Sequence, residues 1–253
     1  MPAPKPTGPQ FQSEDYHATS AKVYEQLDYQ QRVKEPRWTE IKLWLAFMLV
    51  GLGVAVAAWL MILAEDFLIT IKGNVFQYLT IYGTTFYNLA FYLLFSVTMA
   101  SAAALLTVYV GPKAAGSGVP ELIGCLNGVR IAEWLTPTVL FVKVVGVTLA
   151  VAGSLVVGKE GPLAHIGAII AIMVFFAPIE SFAQFRTGSR YREFVAAGIS
   201  AGVSVAFGAP IGGTLFAYEL SSPSTFWTFK NIWRNFFCAS IATFGLALLV
   251  ALQ

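Results

Sequence analysis

Residues 158–162 read Gly158-Lys159-Glu160-Gly161-Pro162 and interrupt a long hydrophobic segment. The apolar stretch before them, 135–157, is long enough to cross a bilayer, which takes about 20 apolar residues, but the stretch after them, 162–177, is shorter than a full crossing. A break inside a bilayer exposes backbone polar groups that protein or water must satisfy, so interrupted helices are tolerated where they line a site. The pattern predicts an all-α membrane protein with broken, short and tilted helices.

Two other breaks share this design, Gly116-Ser117-Gly118-Val119-Pro120-Glu121 and Gly208-Ala209-Pro210-Ile211-Gly212-Gly213. Each glycine-rich loop opens a helix, so unpaired N–H groups and the positive end of the helix dipole face whatever lies in front. Two such ends and the Ser117 hydroxyl can replace the hydration shell of a halide without a fixed full charge, which lets the ion leave again. We expect the interrupted helices to aim these ends at a shared position within the bilayer.

Composition supports a multi-pass membrane protein. Of 253 residues, 57% are hydrophobic and 12% are charged, whereas soluble domains contain about 25% charged residues. This excludes a water-soluble enzyme, a nucleic-acid-binding protein and a disordered chain, and the net charge of +2 offers no basic face for nucleic acid. With Cys125 and Cys238 as the only cysteines, no disulfide framework or CxxC metal site is expected. No nucleophile–base pair or phosphate-binding lysine motif indicates an enzyme.

The chain divides into a polar segment, 1–40, and a hydrophobic region, 41–253. We interpret the first as a solvent-exposed tail over the membrane domain, with a sorting peptide as the alternative; no cleavable signal peptide is visible. Apolar segments that predict helices cover 41–63, 79–110, 135–157, 162–177, 194–207, 210–219 and 232–252. The pair Gly198 and Gly202 gives the segment at 194–207 a smooth face for close helix packing.

Glu160 and Lys143 are ionisable residues at membrane depth, where a charge is costly and a functional role is the default hypothesis. Glu160 would compete with an anion for the same N–H groups, which makes it a candidate gate; the alternative is a carboxylate that caps its own helix. Lys143 either contributes positive potential for anions or pairs with a carboxylate or carbonyl. We expect Lys159 to reach the water–membrane boundary and concentrate anions there.

Other polar residues are interpreted as structural. His165 is expected to be a packed polar residue, and Glu219 to make a structural hydrogen bond. Arg186, Arg190 and Arg192 are predicted to form a solvated cluster at the membrane edge.

The three breaks resemble the CLC family of chloride channels and chloride/proton exchangers, since they occur in that family's order and spacing, over roughly residues 24–253. The resemblance implies a fold of two inverted repeats, of which this chain carries the first. It also implies a dimer or hetero-assembly in membrane lipid, one chloride pathway per subunit, and no cofactor or metal.

The resemblance also implies roles for individual residues. Carried over by position, Ser117 is the inner chloride ligand, and a serine there resembles chloride-preferring rather than nitrate-preferring members. Glu160 is the gate. The implied anion-binding residues are Gly116, Ser117, Gly118, Val119, Pro120, Gly158, Lys159, Glu160, Gly161 and Pro162.

Two departures from the family pattern shape the functional hypotheses. The exchangers carry a proton-relay carboxylate where this chain has Leu220, so the sequence Glu219-Leu220 resembles the channels. The second repeat, with its own helix N-terminus and pore tyrosine, has no match here. We therefore expect a channel-like first half of a chloride pathway, completed by another polypeptide or by a second copy inserted with the opposite orientation. The alternatives are a structural membrane subunit of a larger complex with a vestigial anion site, and a truncated chloride/proton exchanger.

Two short stretches resemble the eukaryotic lysosomal and vacuolar branch of the family. These are Leu27-Asp28-Tyr29 and Ile71-Lys72-Gly73-Asn74. They lead us to expect an endomembrane location rather than the plasma membrane.

Overall fold

The computed structural model describes residues 37–83, 85–129, 131–178, 188–221 and 229–253. Within these ranges the chain forms α1 (Arg37–Tyr82), α2 (Thr85–Tyr109), α3 (Val119–Leu126), α4 (Pro137–Ala152), α5 (Glu160–Phe175), α6 (Gly188–Phe207), α7 (Pro210–Leu220) and α8 (Phe229–Ala251). The prediction of an all-α fold with short, interrupted helices is confirmed. A 3-10 helix, Pro112–Ala114, follows α2. The tail predicted for 1–40 lies outside the described residues up to residue 36.

In the part of the chain that the structure describes, three helices are long and apolar enough to cross a membrane. They cover Trp38–Ile81, Thr85–Tyr109 and Phe229–Ala251. The apolar helices α4 and α5 have 16 residues each, which is short for a full crossing.

The first helix is longer than the hydrophobic pattern predicted. Separate segments were expected at 41–63 and 79–110, but α1 continues without a break for 46 residues and α2 begins only after Gly83. The stretch between the two segments, 64–78, contains no proline, and its one glycine, Gly73, costs only about 1 kcal/mol of helix stability. At ~1.5 Å per residue α1 is about 69 Å long, more than twice the thickness of a bilayer's hydrocarbon core.

The close contact between α5 and α6 forms the centre of the fold. A Cβ atom at Gly198 would overlap the carbonyl of Gly167, and one at Gly202 would overlap the carbonyl of Leu163. The two helix backbones therefore touch, which confirms the packing face predicted from Gly198 and Gly202. This contact fixes the position of α5, whose N-terminus carries Glu160.

Two of the apolar clusters in the described part of the chain hold α1, α8, α3 and α7 against this central pair. In the first, the ring of Phe194 lies 4.8 Å from that of Phe47 and 5.2 Å from that of Phe175, joining α6 to α1 and α5. In the second, Leu122 of α3 packs with Ile199 of α6, and both side chains are buried. The second cluster anchors α3 behind the loop that contains Ser117.

The arginines predicted to form a solvated cluster lie instead at the start of α6, and that prediction is wrong for the two that the structure describes. Arg192 is only 3% exposed. Arg190 donates to the carboxylate of Glu193 at 2.8 Å, and Arg234 of α8 lies 3.5 Å from the same carboxylate. The Arg190 side chain is 21% exposed and that of Glu193 is 9% exposed, because α6 packs against α8; Arg186 lies outside the described residues.

Candidate anion site

Two left-handed glycines present Ser117 in front of α3. Gly116 and Gly118 have φ angles of +72° and +84°, a region that glycine enters at little cost. Gly118 is the N-cap of α3, and Pro120 occupies its first turn, where a missing N–H costs nothing. The Val119 N–H donates to the Ser117 hydroxyl oxygen at 3.3 Å. The loop therefore turns the hydroxyl toward the open N-terminus of the helix.

The N-terminus of α5 rests directly on this loop. A Cβ atom at Gly161 would lie 2.7 Å from the Ser117 Cβ and 3.5 Å from Cγ2 of Val119, so only glycine fits. Lys159 is the N-cap of α5, and its carbonyl accepts the Leu163 N–H at 2.9 Å. The structure thus brings together the first two of the three predicted helix ends.

A cavity of about 710 Å³ opens beside the two helix ends. Small side chains of α2 line it, including Ala100, Ala103 and Ala104. Residues of the predicted site and its neighbours also line it, Gly116, Ser117, Lys143, Val157, Gly158 and Pro162. Gly116, Ser117 and Gly158 are exposed. The cavity therefore gives an entering ion access to both helix ends.

Lys143 is buried and holds the Ser117 loop. It is 2% exposed, and its Nζ donates to the carbonyls of Gly116 at 3.1 Å and Ser117 at 3.3 Å. This is the carbonyl pairing that was one of the two expectations for Lys143. The same side chain also lines the cavity, so its charge stands beside the space in front of the helix ends.

Glu160 is the first residue of α5 and folds back over its own loop. Its carboxylate packs on the Cα of Gly158, where a Cβ atom would overlap it. The side chain is half-buried. The carboxylate thus lies next to a residue that lines the cavity, within the same loop as the exposed N–H groups.

The Lys159 ammonium group forms an ion pair with Glu65 of α1 at 3.0 Å, while 39% of the Lys159 side chain stays exposed. That Lys159 reaches the water–membrane boundary stays a prediction. The Glu65 side chain is 6% exposed. Glu65 was missed from the sequence, although an acidic residue inside a hydrophobic segment is itself a signal of function.

His165 is a packed polar residue, as predicted, but it also supports the Ser117 loop. It is 1% exposed, its Nε2 lies 3.3 Å from the Trp134 carbonyl, and the two rings are 5.0 Å apart. A Cβ atom at Gly118 would lie 2.7 Å from the His165 Cγ. His165 therefore requires glycine at position 118 and links that loop to α5.

The third break does not join the other two. Gly208 has a φ angle of +64°, and α7 begins after Ala209 as predicted. Gly213, however, packs on α6, where a Cβ atom would lie 2.9 Å from the Ser204 nitrogen. None of the residues from 208 to 213 lines the 710 Å³ cavity. The expectation of a shared position holds for two of the three helix ends.

Leu220 occupies the predicted proton-relay position as the last residue of α7. Its half-buried side chain packs on the second apolar cluster, and its carbonyl accepts a hydrogen bond from Asn127 Nδ2 at 3.2 Å. Glu219 is exposed, and no hydrogen bond joins its carboxylate to another residue in the described part of the chain. Among the described residues no group of three or more His, Cys, Asp or Glu side chains is placed to hold a metal ion.

The sequence profile described as "Voltage gated chloride channel" matches residues 99–252, which include all three breaks. The chain belongs to the CLC family. It is 35% identical over 250 residues to the human "H(+)/Cl(-) exchange transporter 7", covering 93% of this chain and 30% of that protein. It is 41% identical over 165 residues to "Chloride channel protein D" of Dictyostelium discoideum, covering 62% of this chain and 16% of that protein. The chain thus spans less than a third of the length of either relative.

Solved structures show the same fold. A structure titled "Crystal Structure of a eukaryotic CLC transporter" superposes with a TM-score of 0.73 at 25% identity, covering 84% of this chain and 38% of that one. A "slow cyanobacterial Cl-/H+ antiporter" superposes with a TM-score of 0.69 at 25% identity, covering 81% and 46%. The predicted membership of the CLC family is confirmed.

Proposed function

We propose that this chain forms the first half of a chloride pathway through a membrane. The observation that carries the proposal is the contact of Gly161 with Ser117, which sets the N-termini of α3 and α5 against each other beside one cavity. Each N-terminus presents unpaired N–H groups and a partial positive charge of about half an elementary charge. Ser117 adds a hydroxyl donor. Together they suit a small anion held by partial charges.

Lys143 supports an anion rather than a cation in this cavity. Its buried ammonium group adds positive potential at the wall, while its hydrogen bonds to two carbonyls remove acceptors that would attract a cation. The Glu160 carboxylate packs against Gly158, which lines the cavity, so we propose that it competes with the anion and acts as the gate. Protonation of Glu160 ends that competition.

Chloride efflux from liposomes tests the proposal. We expect the purified chain, reconstituted with whatever subunits co-purify, to release chloride at a rate that Ser117→Ala lowers several-fold. Ser204→Ala is the matched control, because the Ser204 hydroxyl donates to the Ser200 carbonyl within α6 and does not line the cavity. Efflux that is equal in all three proteins, or absent in every assembly, contradicts the proposal.

We propose that transport is channel-like, because an apolar side chain at Leu220 cannot carry a proton. Coupled chloride/proton exchange is the second candidate, favoured by the names of the human and cyanobacterial relatives. Measuring proton and chloride flux together separates the two. Channel-like transport predicts that a chloride gradient drives no proton movement, and that Leu220→Glu introduces some. A chloride-driven proton flux in the unmodified protein would favour exchange.

The exposed position of Ser117 indicates that further protein completes the site. We propose a partner chain that supplies the second repeat, within a dimer or hetero-assembly. Mass measurement of the native detergent-solubilised particle tests this. A stoichiometric companion carrying the second repeat is the expected result. A large assembly of unrelated subunits without anion flux would instead support a structural role with a vestigial anion site.

We propose an endomembrane location on the resemblance of two short stretches to the lysosomal and vacuolar branch. Fluorescence microscopy of the tagged chain beside lysosomal and plasma-membrane markers tests it. Overlap with the plasma-membrane marker alone would contradict the proposal.

A further inference from the structure

The distal half of α1 reaches both ends of the loop that leads to Glu160. Glu65 and Lys72 are seven residues apart, two helical turns, so they lie on the same face of the helix. Most side chains between them are exposed. Despite this, both charged groups contact residues of the 154–159 loop, which joins α4 to α5. We call these two contacts, Glu65 with Lys159 and Lys72 with Ser154, the clamp.

The first contact joins Glu65 to Lys159 at the C-terminal end of the loop. Glu65 Oε2 lies 3.0 Å from the Lys159 Nζ, and the Glu65 side chain is 6% exposed. Its other oxygen, Oε1, is buried and has no hydrogen-bond partner among the described residues. A carboxylate so withdrawn from water depends on its one cationic partner, and losing that partner would be costly. Lys159 is the residue before Glu160, so the pair fixes the backbone from which the candidate gate projects.

The second contact joins Lys72 to Ser154 at the N-terminal end of the loop. The Lys72 ammonium group donates to the Ser154 hydroxyl and stands over the Tyr92 ring, 4.3 Å from its centroid. Ser154 has a φ angle of +60°, which a non-glycine residue adopts only when its surroundings hold it there. Just before it, a Cβ atom at Gly153 would lie 3.1 Å from the Met99 Cβ, so the chain is in tight contact with α2 where the loop begins.

Between these two contacts the loop is exposed. Residues 155–158 are all exposed to solvent, and Val156 is fully exposed. Gly158 lines the cavity and carries the Glu160 carboxylate against its Cα. Backbone hydrogen bonds tie Ser154 and Leu155 to α4, but burial of side chains does not hold the stretch, so contacts at its two ends set its position.

We propose that Glu65 and Lys72 are positioning residues that clamp the 154–159 loop and so place the Glu160 carboxylate at the cavity. Neither side chain lines the 710 Å³ cavity; each acts through the loop. The role of the placed carboxylate rests on the proposed chloride pathway, whereas the clamp itself is a property of the fold. Through the clamp, a movement of α1 would shift the 154–159 loop and with it the Glu160 carboxylate.

Loop mobility tests the clamp without any transport measurement. A nitroxide attached at Val156→Cys reports local motion by its electron paramagnetic resonance spectrum, and the native Cys125 and Cys238 are buried. The chain without Val156→Cys, labelled in parallel, gives the background. We expect Glu65→Gln and Lys72→Gln each to shorten the rotational correlation time about twofold, since each frees one end of a loop with few other contacts.

Two further variants make this test specific. Asp66→Asn removes the same charge from the neighbouring residue, whose side chain is exposed, and should leave the spectrum unchanged. The charge swap Glu65→Lys with Lys159→Glu restores the ion pair in reverse and should return the spectrum toward that of the unmodified loop. Spectra of Glu65→Gln and Lys72→Gln that superimpose on the parent spectrum overturn the clamp. An equal response to Asp66→Asn, or a swap as mobile as Glu65→Gln, does the same.

Chloride efflux of the same variants tests whether the clamp places the gate. We expect Glu65→Gln to weaken the response of efflux to pH, Asp66→Asn to keep it, and the swap to restore most of it. A parent protein without efflux whose spectra follow the predicted pattern would refute the proposed function and leave the clamp standing. Normal efflux and pH response in a Glu65→Gln protein with a mobile loop would refute the link between clamp and gate.

Discussion

The N-termini of α5 and α7 begin with similar sequences but have different surroundings. Both follow a glycine, and both carry a proline in their first turn. At α5, however, Gly161 meets Ser117 across the chain, whereas at α7 a Cβ on Gly212 would meet only Ala209 of its own loop, at 3.5 Å. Local sequence thus decides that a helix begins, and packing between distant helices decides what its N-terminus faces. Only the α5 end faces the cavity shared with α3.

The largest expected effect concerns the packing that places α5. We predict that Gly202→Val destabilises the fold by about 3 kcal/mol or more, because the added side chain would overlap the Leu163 carbonyl and separate α5 from α6. Thermal unfolding and size-exclusion chromatography measure the loss. Gly73→Val is the control, since a Cβ there meets nothing within 4 Å. Equal stability of the two variants would contradict the backbone contact.

The second prediction compares the N-termini of α5 and α7. Gly161→Ala should lower chloride efflux about tenfold, because a methyl group 2.7 Å from the Ser117 Cβ pushes the α5 end away from the Ser117 loop. Gly212→Ala places the same methyl group in ordinary van der Waals contact with Ala209, at 3.5 Å, at the α7 end and should change efflux little. If both variants lose efflux equally, the distinction between the two ends disappears.

A third prediction compares Glu160, the first residue of α5, with Glu219, near the end of α7. Glu160→Gln mimics the protonated gate and should raise efflux about threefold near neutral pH, since the side chain no longer competes with chloride for the N–H groups. In the parent, efflux should rise as the pH falls; in Glu160→Gln it should stay high throughout. Glu219→Gln, at the exposed end of α7, should keep the parent's pH response. A pH response shared by all three proteins would remove Glu160 from the gate.

The smallest expected effect is a change in selectivity. Ser117→Pro should shift the nitrate-to-chloride permeability ratio about twofold toward nitrate, because it removes the hydroxyl donor while leaving both helix ends in place. Bi-ionic measurements on the reconstituted protein give the ratio. Ser117→Thr keeps a hydroxyl and should retain the parent ratio. Unchanged ratios in both variants would take Ser117 out of the site.

Much of the fold could be predicted because its signals are local. Glycine and proline punctuate the chain where α3, α5 and α7 begin, and the Gly198 and Gly202 pair gives the face that packs on α5. The continuation of α1 through residues 64–78 was missed, since scattered charged residues without a proline do not stop a helix.

The candidate site was predictable only in part, because residues distant in sequence complete it. The motifs identified Ser117, which lines the cavity, and Glu160, which packs against a residue of its lining. No local pattern, however, distinguishes the N-terminus of α5 from that of α7. The partner of Lys159 is Glu65, 94 residues away, and the carbonyls that hold Lys143 precede it by 26 and 27 residues. Pairings of this kind follow from the three-dimensional packing of α1, α4 and α5, which the sequence pattern does not specify.

The central claim is that α3 and α5 form one anion site and that α7 stands apart from it. Anomalous diffraction from crystals of the protein soaked in bromide tests this most directly, since bromide replaces chloride and marks its own position. We predict a bromide peak in the cavity beside Ser117 and Gly158, within hydrogen-bonding distance of the Ser117 hydroxyl. A peak in front of the α7 end at Gly212, with none beside Ser117, would contradict the account.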